Sequence, residues 1–216
     1  EIIAQVLSMG IAAPTIAGDR GAESEGPFQR LVIKNANVID GTGAPTQGPM
    51  TIVIENDRIV ELQGGGTGSL HLEHGGYGEN TRVIDASGKY VLPGFIDAHA
   101  HLGPPPHAMA GSMTDPEYVN KLWLSHGITT IREPGAIMGL NWTLEHKKLS
   151  DEGKITAPKM KVYAMFPEVM ASASEARKWV KAVRKKGADG IKFVGAAPEL
   201  IEAAIDQARK LGMKTM

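Results

Sequence analysis

From Tyr90 to Met216 the chain repeats one order: a short apolar run, a loop, an amphipathic stretch, then a glycine. Apolar runs fall at 128–132, 160–166 and 190–194, and Met213 to Met216 begin another. Each is too short for a helix and dense in residues that suit a strand. Between them the spacing changes to a helical one. Thr114 with Glu117 and Ser172 with Glu175 have the form of capping boxes. Ala176, Trp179, Val180 and Val183 make one apolar stripe, and Leu200, Ile201, Ala204, Ile205, Ala208 and Leu211 make another. Gly127, Gly187 and Gly212 stand where helices stop, and a further helix is expected over Leu140 to Ser150. Strands joined through helices run parallel and need both faces covered. The expected class is α/β, and an eight-fold barrel is one way to close such a sheet.

Upstream the pattern is different. Residues 31–39, 50–55, 58–63, 82–85 and 90–92 read as short strands without helices between them, with a tight hairpin at Asn56-Asp57. Gly64 to Gly68 and Gly75 to Gly78 read as a loop. No strand and helix frame them as a phosphate cradle. Residues 2–17 are mostly apolar and uncharged. They admit two readings, an extension packed on the body or the core of a secretory leader, and Pro14 interrupts them too early for a membrane span. The resulting division is an extension over 1–27, a β-domain over 28–90 and a βα domain over 91–216.

The stretch that points to chemistry is Leu92-Pro93-Gly94-Phe95-Ile96-Asp97-Ala98-His99-Ala100-His101-Leu102. In a strand, residues i and i+2 share a face, so His99 and His101 can turn both imidazoles to one point, with Asp97 a step behind. Neutral imidazoles suit zinc, and a carboxylate nearby can fix a ring's orientation. A His-x-His alone is usually an ordinary pair; here an apolar strand before it and a Gly-Pro loop after it favour a metal site at a barrel mouth.

This run resembles the first-strand signature of the amidohydrolase superfamily, in its imidazolonepropionase/prolidase-like branch. Leu31 to Gly41 and Thr51 to Val60 resemble the strands of that family's small β-domain. Gly127-Ile128-Thr129-Thr130-Ile131-Arg132-Glu133-Pro134-Gly135 resembles its second barrel strand, with Glu133 where aspartate is more usual. Gly187-Ala188-Asp189-Gly190-Ile191-Lys192-Phe193 resembles its fourth, which ends in a lysine. The resemblance implies a distorted TIM-like (β/α)8 barrel beside a small N-terminal β-sandwich. A full barrel takes about 250 residues, so this chain reads as the first half. The resemblance also implies His99, His101 and carbamylated Lys192 as ligands of two divalent cations, zinc by default. The reaction expected is hydrolysis of an amide, N-acyl or dipeptide C–N bond by metal-activated water, the general base lying beyond Met216. Away from the family context, Lys192 is only a lysine at a strand end.

Other candidates carry blander readings. Arg132 stands at the end of a barrel strand, suited to a substrate carboxylate or, more simply, to a structural pairing. His107 follows Pro104-Pro105-Pro106 in a loop; His71 and His74 fall in the glycine-rich segment and read as solvated; His126 suits a helix C-terminus. With 23 basic and 24 acidic residues, no global field favours nucleic acid or a membrane. The partners expected are a small-molecule substrate, the other half of the barrel and, in an oligomer, further copies. The chain has no cysteine, which excludes disulfides and thiolate ligands but is compatible with cytoplasm, periplasm or secretion. The rival class is a pseudoenzyme or assembly module that keeps the barrel face without the chemistry.

Overall fold

A computed structural model describes residues 28–64, 80–102 and 116–216, which fall into two units dividing between Gly94 and Phe95. The expectations for residues 1–27, the glycine-rich loop with His71 and His74, the Thr114 cap and His107 lie outside the described residues.

The first unit is one mixed sheet of β1 (Arg30–Val38), β2 (Gln47–Glu55), β3 (Arg58–Gly64), β4 (Thr81–Asp85) and β5 (Tyr90–Val91). Its order is β3-β2-β1-β4, with β5 also on β1; β2 runs antiparallel to its neighbours, while β4 and β5 run parallel to β1. Asn56, at φ 54°, turns β2 back into β3, and Glu55 pairs Arg58. That is the hairpin the sequence indicates.

One feature of β1 is not visible in simple alternation. Its apolar residues switch parity, from Leu31 and Ile33 to Ala36 and Val38, yet all four are buried in one cluster. The register explains it: Ile33 pairs Ile52 but Ala36 pairs Met50, so β1 carries one extra residue there. Asn35 sits in the left-handed region at φ 60° and donates from its amide to Asp85 at 3.1 Å. The bulge restores the inward face. Met50, Ile52, Ile54 and Ala86 complete the cluster, with Phe28, Ile59, Ile84 and Val91 at its margin.

The second unit is a curled, wholly parallel sheet with strands in sequence order: β6 (Phe95–Asp97), β7 (Ile128–Gly135), β8 (Lys159–Met165), β9 (Gly190–Lys192) and β10 (Lys214–Thr215). Between them come α1 (Pro116–Ser125), α2 (Leu140–Asp151), α3 (Ala173–Lys186) and α4 (Pro198–Lys210). Sequential neighbours with a helix in every crossover make the winding of half a barrel.

Two clusters lie between sheet and helices. Ala100, Leu102, Ile131, Met160 and Val162 pack with Trp123 and Trp142; Ala164, Phe166, Val180, Ile191 and Leu200 form the second. Ser172 caps α3 by accepting the Glu175 N–H at 3.2 Å, and Gly187 closes it at φ 109°. The Glu175 carboxylate returns to the N–H of Ala171 rather than to the cap residue itself. Such a cap is worth about 1 kcal/mol, whereas burying Val180 and Val183 is worth about 1.5–3 kcal/mol each. Packing, more than the cap, holds this helix.

The α4 stripe differs from expectation. Leu200, Ala203, Ala204, Gln207 and Ala208 are buried, while Ile201 and Ile205 stand at the margin. Small side chains let the helix lie close, so the contact face turns toward the alanines and leaves the larger isoleucines beside it.

Candidate metal centre

All five strands of the second sheet point the same way, so their C-terminal ends share one edge. His99 and His101 follow β6 at that edge, Arg132 lies in the last half of β7, and Lys192 is the final residue of β9. This is the end at which parallel barrels carry their sites.

β6 itself ends at Asp97, two residues before His99. Alternation nevertheless continues: Ala100 and Leu102 are buried, and the two histidines turn the other way. The bond from Ala100 N–H to the Arg132 carbonyl, 3.0 Å, keeps this segment tied to β7. The two imidazoles meet edge to face, ring centroids 5.2 Å apart at 79°. Such a pair can offer two nitrogens to one cation.

Asp97 does not have the role its spacing suggests. Its carboxylate accepts the main-chain N–H of His99 at 2.9 Å and shapes the bend after the strand. The carboxylate on an imidazole is instead Glu133, whose Oε1 lies 2.8 Å from His101 Nδ1. Glu133 is 1% exposed. Burial of a carboxylate is costly unless every oxygen is satisfied, and here the Ala136 N–H donates to Oε1 at 3.1 Å and the Leu102 N–H to Oε2. Sequence reasoning missed this residue. Its signal was a charge at a register position shared with Thr129 and Ile131, both of which are buried.

Arg132 faces the other way. Its Nε donates to the Ala98 carbonyl at 2.6 Å, and its guanidinium lies over the Tyr163 ring, 5.6 Å from the centroid. It braces the turn that carries the histidines.

Lys192 is half-buried and pairs in register with Met165, while its carbonyl accepts the Phe166 N–H at 2.8 Å. β7 and β8 stand between β6 and β9. With neighbouring strands about 4.8 Å apart, Lys192 stands three strand positions along the edge from the histidine pair. Among the described residues, no three His, Cys, Asp or Glu side chains form a preassembled cage. The donor set present still fits a borderline divalent cation: two adjacent imidazoles, one already held by a carboxylate through its far nitrogen.

The remaining described histidines serve helices. His126 Nδ1 lies 2.8 Å from the Leu122 carbonyl at the end of α1, as its position suggested. His146 Nδ1 lies 3.0 Å from the Trp142 carbonyl one turn earlier, with the two ring centroids 3.9 Å apart and the planes tilted by 39°. No helix among the described residues is long and apolar enough to cross a membrane.

Residues 82–122 match the model of an amidohydrolase family. The chain is 32% identical over 129 residues to an adenine deaminase of Staphylothermus marinus, covering 58% of this chain and 18% of that protein. It is 33% identical over 75 residues to a dihydroorotase of Thermus aquaticus, covering 35% of this chain and 14% of the other. In fold it is similar to a Xaa-Pro dipeptidase solved with methionine in its active site: TM-score 0.64, 22% identity, 86% of this chain and 55% of that one. The chain thus spans about a fifth of the length of the adenine deaminase and about half of the solved dipeptidase.

Proposed function

This chain belongs to the amidohydrolase superfamily, and from that premise we propose that it forms the first half of the catalytic barrel of a metal-dependent hydrolase acting on C–N bonds. The single observation that carries this reading is the His99–His101 pair at the C-terminal edge of a parallel sheet, with His101 anchored on buried Glu133. The first unit would then be part of the small β-sandwich domain, and the second half of the barrel would close around the same edge.

His99 and His101 would hold one of two divalent cations, zinc by default, with carbamylated Lys192 as an anionic oxygen ligand between them. When bound, such cations acidify water and polarise a carbonyl or amidine carbon. The chain's own residues set the stage for it. Asp97 and the Ala100–Arg132 bond fix the bend from which both rings project, and Glu133 holds the second ring. Arg132, stacked on Tyr163, would keep the Ala98 carbonyl in place; its terminal nitrogens would be the group nearest to hand for a substrate carboxylate. N-acyl amino acids and dipeptides are the substrates this arrangement suggests.

The experiment is a protein carrying this sequence within a complete barrel, assayed on N-acyl amino acids, dipeptides, adenine and dihydroorotate. Chelation should abolish turnover and zinc should restore it. The 216-residue chain alone should take up zinc yet hydrolyse none of them. Turnover indifferent to chelation would overturn the proposal, and turnover by the isolated chain would mean that the reacting groups are assigned wrongly.

A further inference from the structure

We propose that Glu133 is the positioning residue of the histidine pair: its buried carboxylate dictates which nitrogen of His101 carries the proton, leaving Nε2 as the bare, metal-seeking nitrogen. The metal consequence rests on the function proposed above; the tautomer does not.

The argument is one of donors and acceptors. Main-chain N–H groups can only donate, and two of them, Ala136 and Leu102, point at the two Glu133 oxygens. Glu133 is 1% exposed, so water is not at hand to complete its shell. An ionised carboxylate is an acceptor at every lone pair. His101 Nδ1, 2.8 Å from Oε1, must therefore be the donor, because a bare Nδ1 there would set lone pair against lone pair. A neutral imidazole protonated at Nδ1 is an acceptor at Nε2.

The same three bonds tie three pieces of chain together. Glu133 lies in the last residues of β7 before its end at Gly135, Leu102 follows the histidines, and Ala136 begins the turn to α2 in the left-handed region at φ 48°. The carboxylate is fixed from both sides before it meets the ring. It can therefore orient His101 without a flexible side chain's loss of entropy at the moment of binding. Among the described residues His99 is tied through its main-chain N–H to Asp97 and meets the His101 ring edge to face, whereas His101 is held through its ring nitrogen by Glu133.

The test uses the metal-free 216-residue chain, labelled with 15N-histidine and recorded over rising pH until the histidine spectra no longer change. Long-range proton–nitrogen correlations, assigned by their loss in His101→Asn, should show His101 protonated at Nδ1. Glu133→Gln should weaken that preference, since in either orientation its amide NH2 faces at least one of the three donors that the two carboxylate oxygens accept. Glu133→Asp keeps the charge and should keep the tautomer. Zinc affinity, by competition with a chromophoric chelator, should fall about 10–100-fold in Glu133→Gln and less in Glu133→Asp. An Nε2–H tautomer in the wild-type chain, or unchanged tautomer and affinity in Glu133→Gln, would overturn the proposal. Should Glu133→Gln fail to fold, the wild-type tautomer and Glu133→Asp decide. A wild-type chain that binds no zinc would remove the metal-centre reading, while the tautomer still judges Glu133.

Discussion

His99 and His101 stand edge to face with their ring centres 5.2 Å apart. That relationship decides whether the pair acts as one ligand set or as two exposed imidazoles, because a cation held by both loses more than half its binding when either is removed. His99→Ala and His101→Ala should each reduce zinc uptake by at least 10-fold, and the double variant should be little worse than either single one. Metal analysis after dialysis against a fixed zinc buffer reads this directly. Additive, independent losses would indicate two separate weak sites.

Lys192 offers a different kind of ligand. In a complete, active protein carrying this sequence, Lys192→Ala should lower kcat/KM by about 100-fold or more, since losing a bridging ligand should cost at least as much as losing a partner of one. Added bicarbonate should not rescue Lys192→Ala, whereas small carboxylic acids should rescue it in part. Steady-state kinetics with and without acetate would show it. Wild-type rates in Lys192→Ala would eliminate the carbamate bridge and leave the histidines untouched.

Arg132 is placed to matter for stability before it matters for substrate. Arg132→Ala removes a charged hydrogen bond to the Ala98 carbonyl and the stack on Tyr163. The two together are worth about 1–3 kcal/mol, read as a shift in urea midpoint. Arg132→Lys should recover only part, because an ammonium cannot lie flat on the ring while donating sideways. Loss of substrate affinity without loss of stability would instead make carboxylate binding its principal role.

Asp85 makes the first unit's stability depend on pH. The Ser87 hydroxyl, then the Asn35 amide and the Ser87 N–H, hold its carboxyl below the ordinary range. A folded-state pKa below the unfolded one gives stability that is present above the unfolded pKa and lost as pH falls through the folded one. Asp85→Asn should therefore melt at a lower temperature than wild type at neutral pH, and the two should converge in acid below the usual carboxylate range. Parallel melting curves down the whole acid range would show that the bonds to Asp85 are not what pins the Asn35 bulge.

By itself the sequence determined the alternation of strands and helices after Tyr90, most helix ends, and the two histidines of the candidate site. These are local properties: a period of two or 3.6, a glycine at a left-handed stop such as Gly187, a hydroxyl at a cap such as Ser172. Tertiary structure decided whatever depends on register between distant segments. The bulge at Asn35 exists because β1 must bring Leu31, Ile33, Ala36 and Val38 to one face against β2. The α4 contact face turned toward its alanines because the helix packs close, which its own periodicity does not encode. Above all, Glu133 rather than Asp97 became the carboxylate on His101, a pairing across 32 residues that exists only once β7 lies parallel beside β6. Asp97 was nearer in sequence, but its short side chain reaches its own backbone two residues on more readily than a ring. A buried carboxylate must be satisfied on all sides, and only the folded sheet brings together the donors that satisfy Glu133.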